Sequence, residues 1–167
     1  MFKKNKVNPM VWVWFGIGRI LVGLIFLWAF FDKLFGLGFG TAADKSWLSG
    51  GSPTTGFLSS VEGPLADFFH AMAGNMAADV LFMAGLLGIG VALTFGIAVR
   101  VGAICGVALL TLMWLASFPL ENNPVIDDHV VYAAFLVAVA LSVPHQRLSF
   151  AKQWQAVPTV KKNPWLW

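Results

Sequence analysis

Charge is what this sequence has least of. Only 11% of its 167 residues are charged and 58% are hydrophobic, against about a quarter charged in a soluble domain. That balance excludes an ordinary soluble domain and indicates an all-α integral membrane protein. Cysteine is the next scarcity. The single Cys105 excludes an intrachain disulfide, a CxxC redox pair and a thiolate zinc set, and its place in mid-run predicts an inert, packed thiol. No glycine-rich phosphate loop, Ser/His/Asp set or metal-ligand spacing is present, so no metal site is recognised. His70 and His129 are the residues a haem would need, but neither belongs to a ligation motif.

What the sequence does have is four apolar runs: Val11 to Leu37, Met76 to Phe95, Val99 to Phe118 and Pro124 to Val143. Each is about the 20 residues that a helix needs to cross a bilayer. The runs are continuous rather than alternating, which predicts helices and not barrel strands. The first follows a basic start, yet it is longer than a signal-peptide core and has no small-residue cleavage site, so it reads as a retained signal anchor. Short turns at Gly96 to Arg100 and Pro119 to Asn123 make consecutive runs antiparallel neighbours, giving a four-transmembrane-helix bundle. Small residues at every fourth position, Ala84, Gly88, Ala92 and Gly96 in the second run and Ala98, Gly102 and Gly106 in the third, predict close helix contacts. Pro124 after Asn123 predicts the start of the last helix.

The few charges are sorted by sign. Lys3, Lys4, Lys6, Arg100, Arg147, Lys152, Lys161 and Lys162 lie before the first run, in the second turn or after the last run. All 8 acids lie at or between the opposite ends. The positive-inside rule then places both termini in the cytoplasm, and a basic fringe on an anionic leaflet explains the net charge of +3 without nucleic acid. The chain divides into a basic arm over residues 1–10, a membrane domain over 11–143 and an interfacial tail over 144–167. Within the domain the outer connection, 38–75, is long enough to be folded in its own right. Leu65, Phe68, Phe69 and Met72 predict a short extracellular amphipathic helix there, ended by Gly74, with Asn75 capping the second span.

Candidate site residues follow from charges placed where lipid makes them costly. Arg19, Gly23, Phe26, Phe30 and Lys33 fall on one face of the first helix. Asp32 and Lys33 end that helix, and Asp127, Asp128 and His129 begin the last one at the same height. A shared outer polar pocket is therefore expected, with Asp32, Lys33, Asp128 and His129 in it, Phe30 and Trp114 flooring it, and Lys33 paired with Asp128 or Asp79. Arg19 lies near the other surface with no acid nearby. It either snorkels to lipid phosphate or caps carbonyls, binds an anion or a quinone carbonyl, or meets the carboxylate of Trp167.

The segments Arg19 to Gly23, Trp28 to Phe39, Trp47 to Thr54, Asp79 to Gly90 and Asn122 to His129 resemble the DoxX-like membrane family, in particular its DoxD branch. DoxD is the small subunit of a thiosulfate:quinone oxidoreductase. The resemblance spans nearly the whole chain short of its tails. It implies a bacterial or archaeal plasma-membrane subunit that passes electrons from thiosulfate to quinone, giving tetrathionate, together with a second redox subunit. A quinone suits a lipid-facing apolar pocket. A thiosulfate dianion suits the acidic outer face badly. The rival reading is a non-catalytic anchor or assembly subunit that docks a redox protein among the membrane lipids. A third is a small-solute permease built on Asp32, Lys33 and Asp128, which four spans accommodate only in a homo-oligomer.

Overall fold

The computed structural model describes residues 7–167. Of the expected basic arm, residues 1–6, with Lys3, Lys4 and Lys6, lie outside the described part. The only regular elements among the described residues are helices, with no strand. Three helices are long and apolar enough to cross a membrane: α1 (Pro9–Phe35), α4 (Met76–Phe95) and α5 (Val99–Ala116). They are the mark of a multi-pass membrane protein. Between α1 and α4 lie the short helices α2 (Thr55–Leu58) and α3 (Ala66–Met72). After α5 come α6 (Asp128–Leu141), α7 (Ala151–Ala156) and α8 (Pro158–Lys162).

Local chemistry sets the helix ends. Asn8 accepts a hydrogen bond from the Met10 N–H and Pro9 takes the first helical position, where a missing N–H costs nothing. Gly36, with φ +66°, closes α1 and donates to the Asp32 carbonyl; only glycine adopts that conformation cheaply. Asn75 caps α4 through the Ala77 N–H, as expected.

The expected fourth run is the exception, because α6 starts at Asp128 and not at Pro124. Asn123 does not cap a helix; its side chain accepts from the Val125 and Ile126 N–H groups, a turn that competes with helix formation. Asp127 then takes over as the cap and accepts from the Val130 N–H. With 14 residues, α6 is about 21 Å long, short of the roughly 30 Å of hydrocarbon.

The helix α1 packs broadly on α4, and α5 on α6; the contact of α4 with α5 is less extensive, and that between α1 and α6 is light. Neighbours run in opposite directions, since Arg19 of α1 reaches Leu93 near the end of α4 while Lys33 lies beside Phe82 near its start. The core is a column of Phe26, Met83, Leu86, Leu93, Leu110 and Leu136. Outside it, Leu24, Leu81, Ile104 and Leu141 are exposed, an apolar exterior suited to lipid.

Two expectations about packing need correcting. A side-chain carbon added at Gly88 would meet nothing within 4 Å, so Gly88 faces outward and is not in a helix seam. The close seam lies about half a turn away, where a carbon on Gly90 would strike the Leu27 backbone N at 2.9 Å and one on Gly23 would strike the Thr94 N at 2.6 Å. Ala92 and Gly102 do meet across α4 and α5 as the spacing predicts. Cys105 is exposed on the outer surface of α5 rather than packed inside.

Candidate functional site

The bundle has an acidic end, where α1 stops and α4 and α6 start, and a basic end, where Arg19, Arg100 and the final segment meet. At the acidic end the residues Gly38 to Ala73 fold over the helices. Asp32 is buried, and its two carboxylate oxygens accept from the Phe39 N–H at 3.2 Å and the Gly40 N–H at 3.0 Å. This carboxylate turns the chain back on itself just after α1. Its role is architectural, and the acid expected in a shared pocket is committed to its own loop.

Asp79 neither stands free at the α4 dipole nor pairs with Lys33, the partner expected for it. Its Oδ1 accepts from Ser52 Oγ at 2.9 Å, Thr54 Oγ1 at 2.6 Å and the Thr54 N–H at 3.3 Å. Ser52 and Thr54 are functional to the fold in a way that sequence reasoning misses. The available signal is the Ser-Pro-Thr-Thr turn, which offers several hydroxyls to any carboxylate nearby.

Lys33 makes no ion pair with Asp128 or Asp79; among the described residues the only close acid and base contacts are those of His129 with Asp127 and Asp128. Its ammonium lies 6.0 Å from the centre of the Phe82 ring, with Phe30 partly buried alongside the core. The distance is at the outer limit of a cation–π attraction. Asp32 precedes Lys33 but faces elsewhere, as the rotation of about 100° per helical residue requires. Lys33 therefore remains a half-buried cation near Phe82 that forms no ion pair among the described residues, with the charge of the adjoining Asp32 acting on it from outside contact distance.

Asp128 and His129 sit on the far side of the acidic end. The His129 Nδ1 donates to Asp127 Oδ2 at 2.7 Å and lies 3.5 Å from Asp128 Oδ1. Burial pushes the Asp127 carboxyl up, but hydrogen bonds from His129 and from the Val130 N–H outweigh it and hold the group below the usual carboxylate range. These residues edge an open cleft of about 880 Å³ that also takes in Phe57, Glu62, Phe118 and Glu121. Asp32 and Lys33 do not line it, because α1 and α6 barely touch. Asp127, Asp128 and His129 offer three ligand atoms within 4.8 Å of one another, although Asp127 is already held by His129 and Val130. Trp114 directs its Nε1–H at the Val125 carbonyl, 2.9 Å away, and meets Phe118 edge-on. His70 donates through Nε2 to the Val61 carbonyl at 2.9 Å, tying α3 to the preceding loop.

Arg19 lies at the opposite end and is wholly buried. Of the partners considered for it, backbone carbonyls are the ones it meets: Leu93, Thr94, Arg147 and Leu148. The Trp167 main-chain oxygen accepts instead from the Arg100 N–H at 2.7 Å. The expected site is thus divided among Lys33 near Phe82, the Asp127 to His129 cleft, and the Arg19 cluster. In comparisons with known proteins, no family model, no curated protein and no solved structure matches the chain.

Proposed function

We propose that the chain is the membrane subunit of a quinone-linked sulfur oxidoreductase, of the kind its resemblance to DoxD implies, working with a second subunit in the plasma membrane of a bacterium or archaeon. In this reading α6 is the fourth span, shortened by the polar turn before it, and both termini are cytoplasmic by the distribution of basic residues. The observation that carries the proposal is Lys33. A cation in an apolar helix that forms no ion pair is costly unless it has a function, and its N–H groups, 6.0 Å from the Phe82 ring, suit the carbonyl oxygen of a flat, apolar ring. A quinone bound there supplies a two-electron acceptor that moves within the bilayer.

Arg19 and Trp114, the other residues considered for the quinone, fit less well, because the Trp114 N–H and both terminal nitrogens of Arg19 already serve backbone carbonyls, leaving only the buried Arg19 Nε without a partner. Thiosulfate oxidation, two dianions giving tetrathionate and two electrons, belongs to the partner in this account. The cleft at the acidic end carries Glu62, Glu121, Asp127 and Asp128 and would repel such a substrate. The test is thiosulfate-dependent quinone reduction by membranes holding the chain with its native partner. Lys33→Met should abolish the quinone step while leaving partner binding intact, and full activity in that variant would refute the proposal.

The second reading is a non-catalytic anchor. It is favoured by the way Asp32, Asp79, Asp127 and Arg19 all serve the fold. Under it, Lys33→Met changes neither quinone content nor activity, whereas loss of the whole chain releases the partner from the membrane.

A further inference from the structure

Arg19 carries a charge that no carboxylate side chain offsets. Its acceptors are Leu93 and Thr94 in the last turn of α4, where free carbonyls form the negative end of the helix dipole, and two carbonyls of the final segment, Arg147 at 3.1 Å and Leu148 at 2.8 Å. Leu148 is held at φ +51°, a left-handed conformation that leucine avoids. The residues that follow are seated on glycine and bare backbone. Ser149 lies so close to Gly96 that no side chain fits between them, and the Phe150 N–H donates to the Phe95 carbonyl at 2.9 Å. Further on, Val160 is buried and the Trp167 main-chain oxygen rests on the start of α5 through the Arg100 N–H.

We propose that residues 143–167 form a strap across the basic end of the bundle, latched by the Arg19 guanidinium, and that the strap opens when Arg19 releases the Arg147 and Leu148 carbonyls. The bonds from Arg19 are the charge-assisted ones in this contact, and so the strong ones. They hold Leu148 in a backbone state that it would otherwise leave, and strain of this kind gathers at switching elements. The outward side of the strap carries Arg147, Lys152, Lys161 and Lys162 with Phe150 and Trp165, all exposed. An opened strap therefore has an anionic leaflet to settle on, while the uncovered Arg19 gains lipid phosphate in place of the lost carbonyls.

The experiment uses the full chain in lipid vesicles with the basic end accessible. Ser149→Cys in a Cys105→Ser background reports opening through the rate of labelling by a membrane-impermeant maleimide. Adding Arg19→Gln should raise that rate at least about tenfold, the factor expected for loss of one charge-assisted hydrogen bond. Leu148→Gly, which keeps Arg19 and relieves the backbone, should lower it. Equal labelling rates with and without Arg19→Gln overturn the latch. Should Arg19→Gln not fold, an unchanged or faster rate in Leu148→Gly overturns it instead.

Discussion

Thr54 grips Asp79 twice: its hydroxyl donates to Oδ1 at 2.6 Å and its backbone N–H donates to the same oxygen at 3.3 Å. Both residues are buried, and Ser52 adds a third donor at 2.9 Å. The carboxylate at the start of α4 thus anchors the long connection that follows α1. Thr54→Val should destabilise the fold by about 1–3 kcal/mol, because a buried acceptor loses its shortest partner. Thermal unfolding in detergent measures this, and a melting point equal to that of the parent would show that the backbone N–H and Ser52 suffice.

Glycine position decides the second prediction. Gly90→Leu should lower the melting temperature sharply, since its side chain would collide with the Leu27 backbone and separate α1 from α4. Gly88→Leu should leave stability nearly unchanged, because that position faces open space. The reverse order would place the α1 contact on the other face of α4.

Acid should loosen the start of α6. The folded Asp127 carboxyl lies below its ordinary range, so its contribution is fully present above the unfolded value of about 4 and is lost as pH falls through the lower folded value. Hydrogen exchange at the Val130 amide, which Asp127 caps at 3.2 Å, should stay protected down to about pH 4 and lose protection below it. Asp127→Ala should remove that protection at every pH, at a cost of about 1 kcal/mol. Protection that survives in this variant would mean the cap is not what holds the amide.

Lys33 and Asp128 should behave independently. They share no ion pair, so the effects of Lys33→Met and Asp128→Asn on stability should add to within about 0.5 kcal/mol. A larger coupling in the double-mutant cycle would restore the shared outer pocket expected from the sequence.

The difference between that pocket and the structure shows what the sequence can carry. The bounds of α4 are legible because Asn75 and Gly96 punctuate them, and the buried face of α1 is legible because Arg19, Gly23 and Phe26 recur at helical spacing. Depth along the membrane is readable in the same way, which is why Asp32 and Asp128 do lie at one end. Lateral position is not. It depends on the order α1, α4, α5, α6 around the bundle, and that order puts the Asp32 and Asp128 groups on different sides. Nor does an acid announce its partner. Asp32 and Asp79 satisfy themselves on nearby N–H and hydroxyl groups, which the Gly38 to Gly40 and Ser52 to Thr54 turns supply at less cost than a distant lysine. Two competing caps, Asn123 and Asp127, obscure the start of α6, and the second prevails.

Quinone content tests the account at its centre. The chain is purified in mild detergent from membranes that contain its partner, and bound quinone is extracted and quantified against protein, for the parent and for Lys33→Met. The account predicts quinone in near-stoichiometric amount with the parent and its loss from the variant, with melting temperature and partner retention unchanged. Equal quinone in both proteins, or none in the parent, would contradict the role given to Lys33 and leave the chain as an anchor.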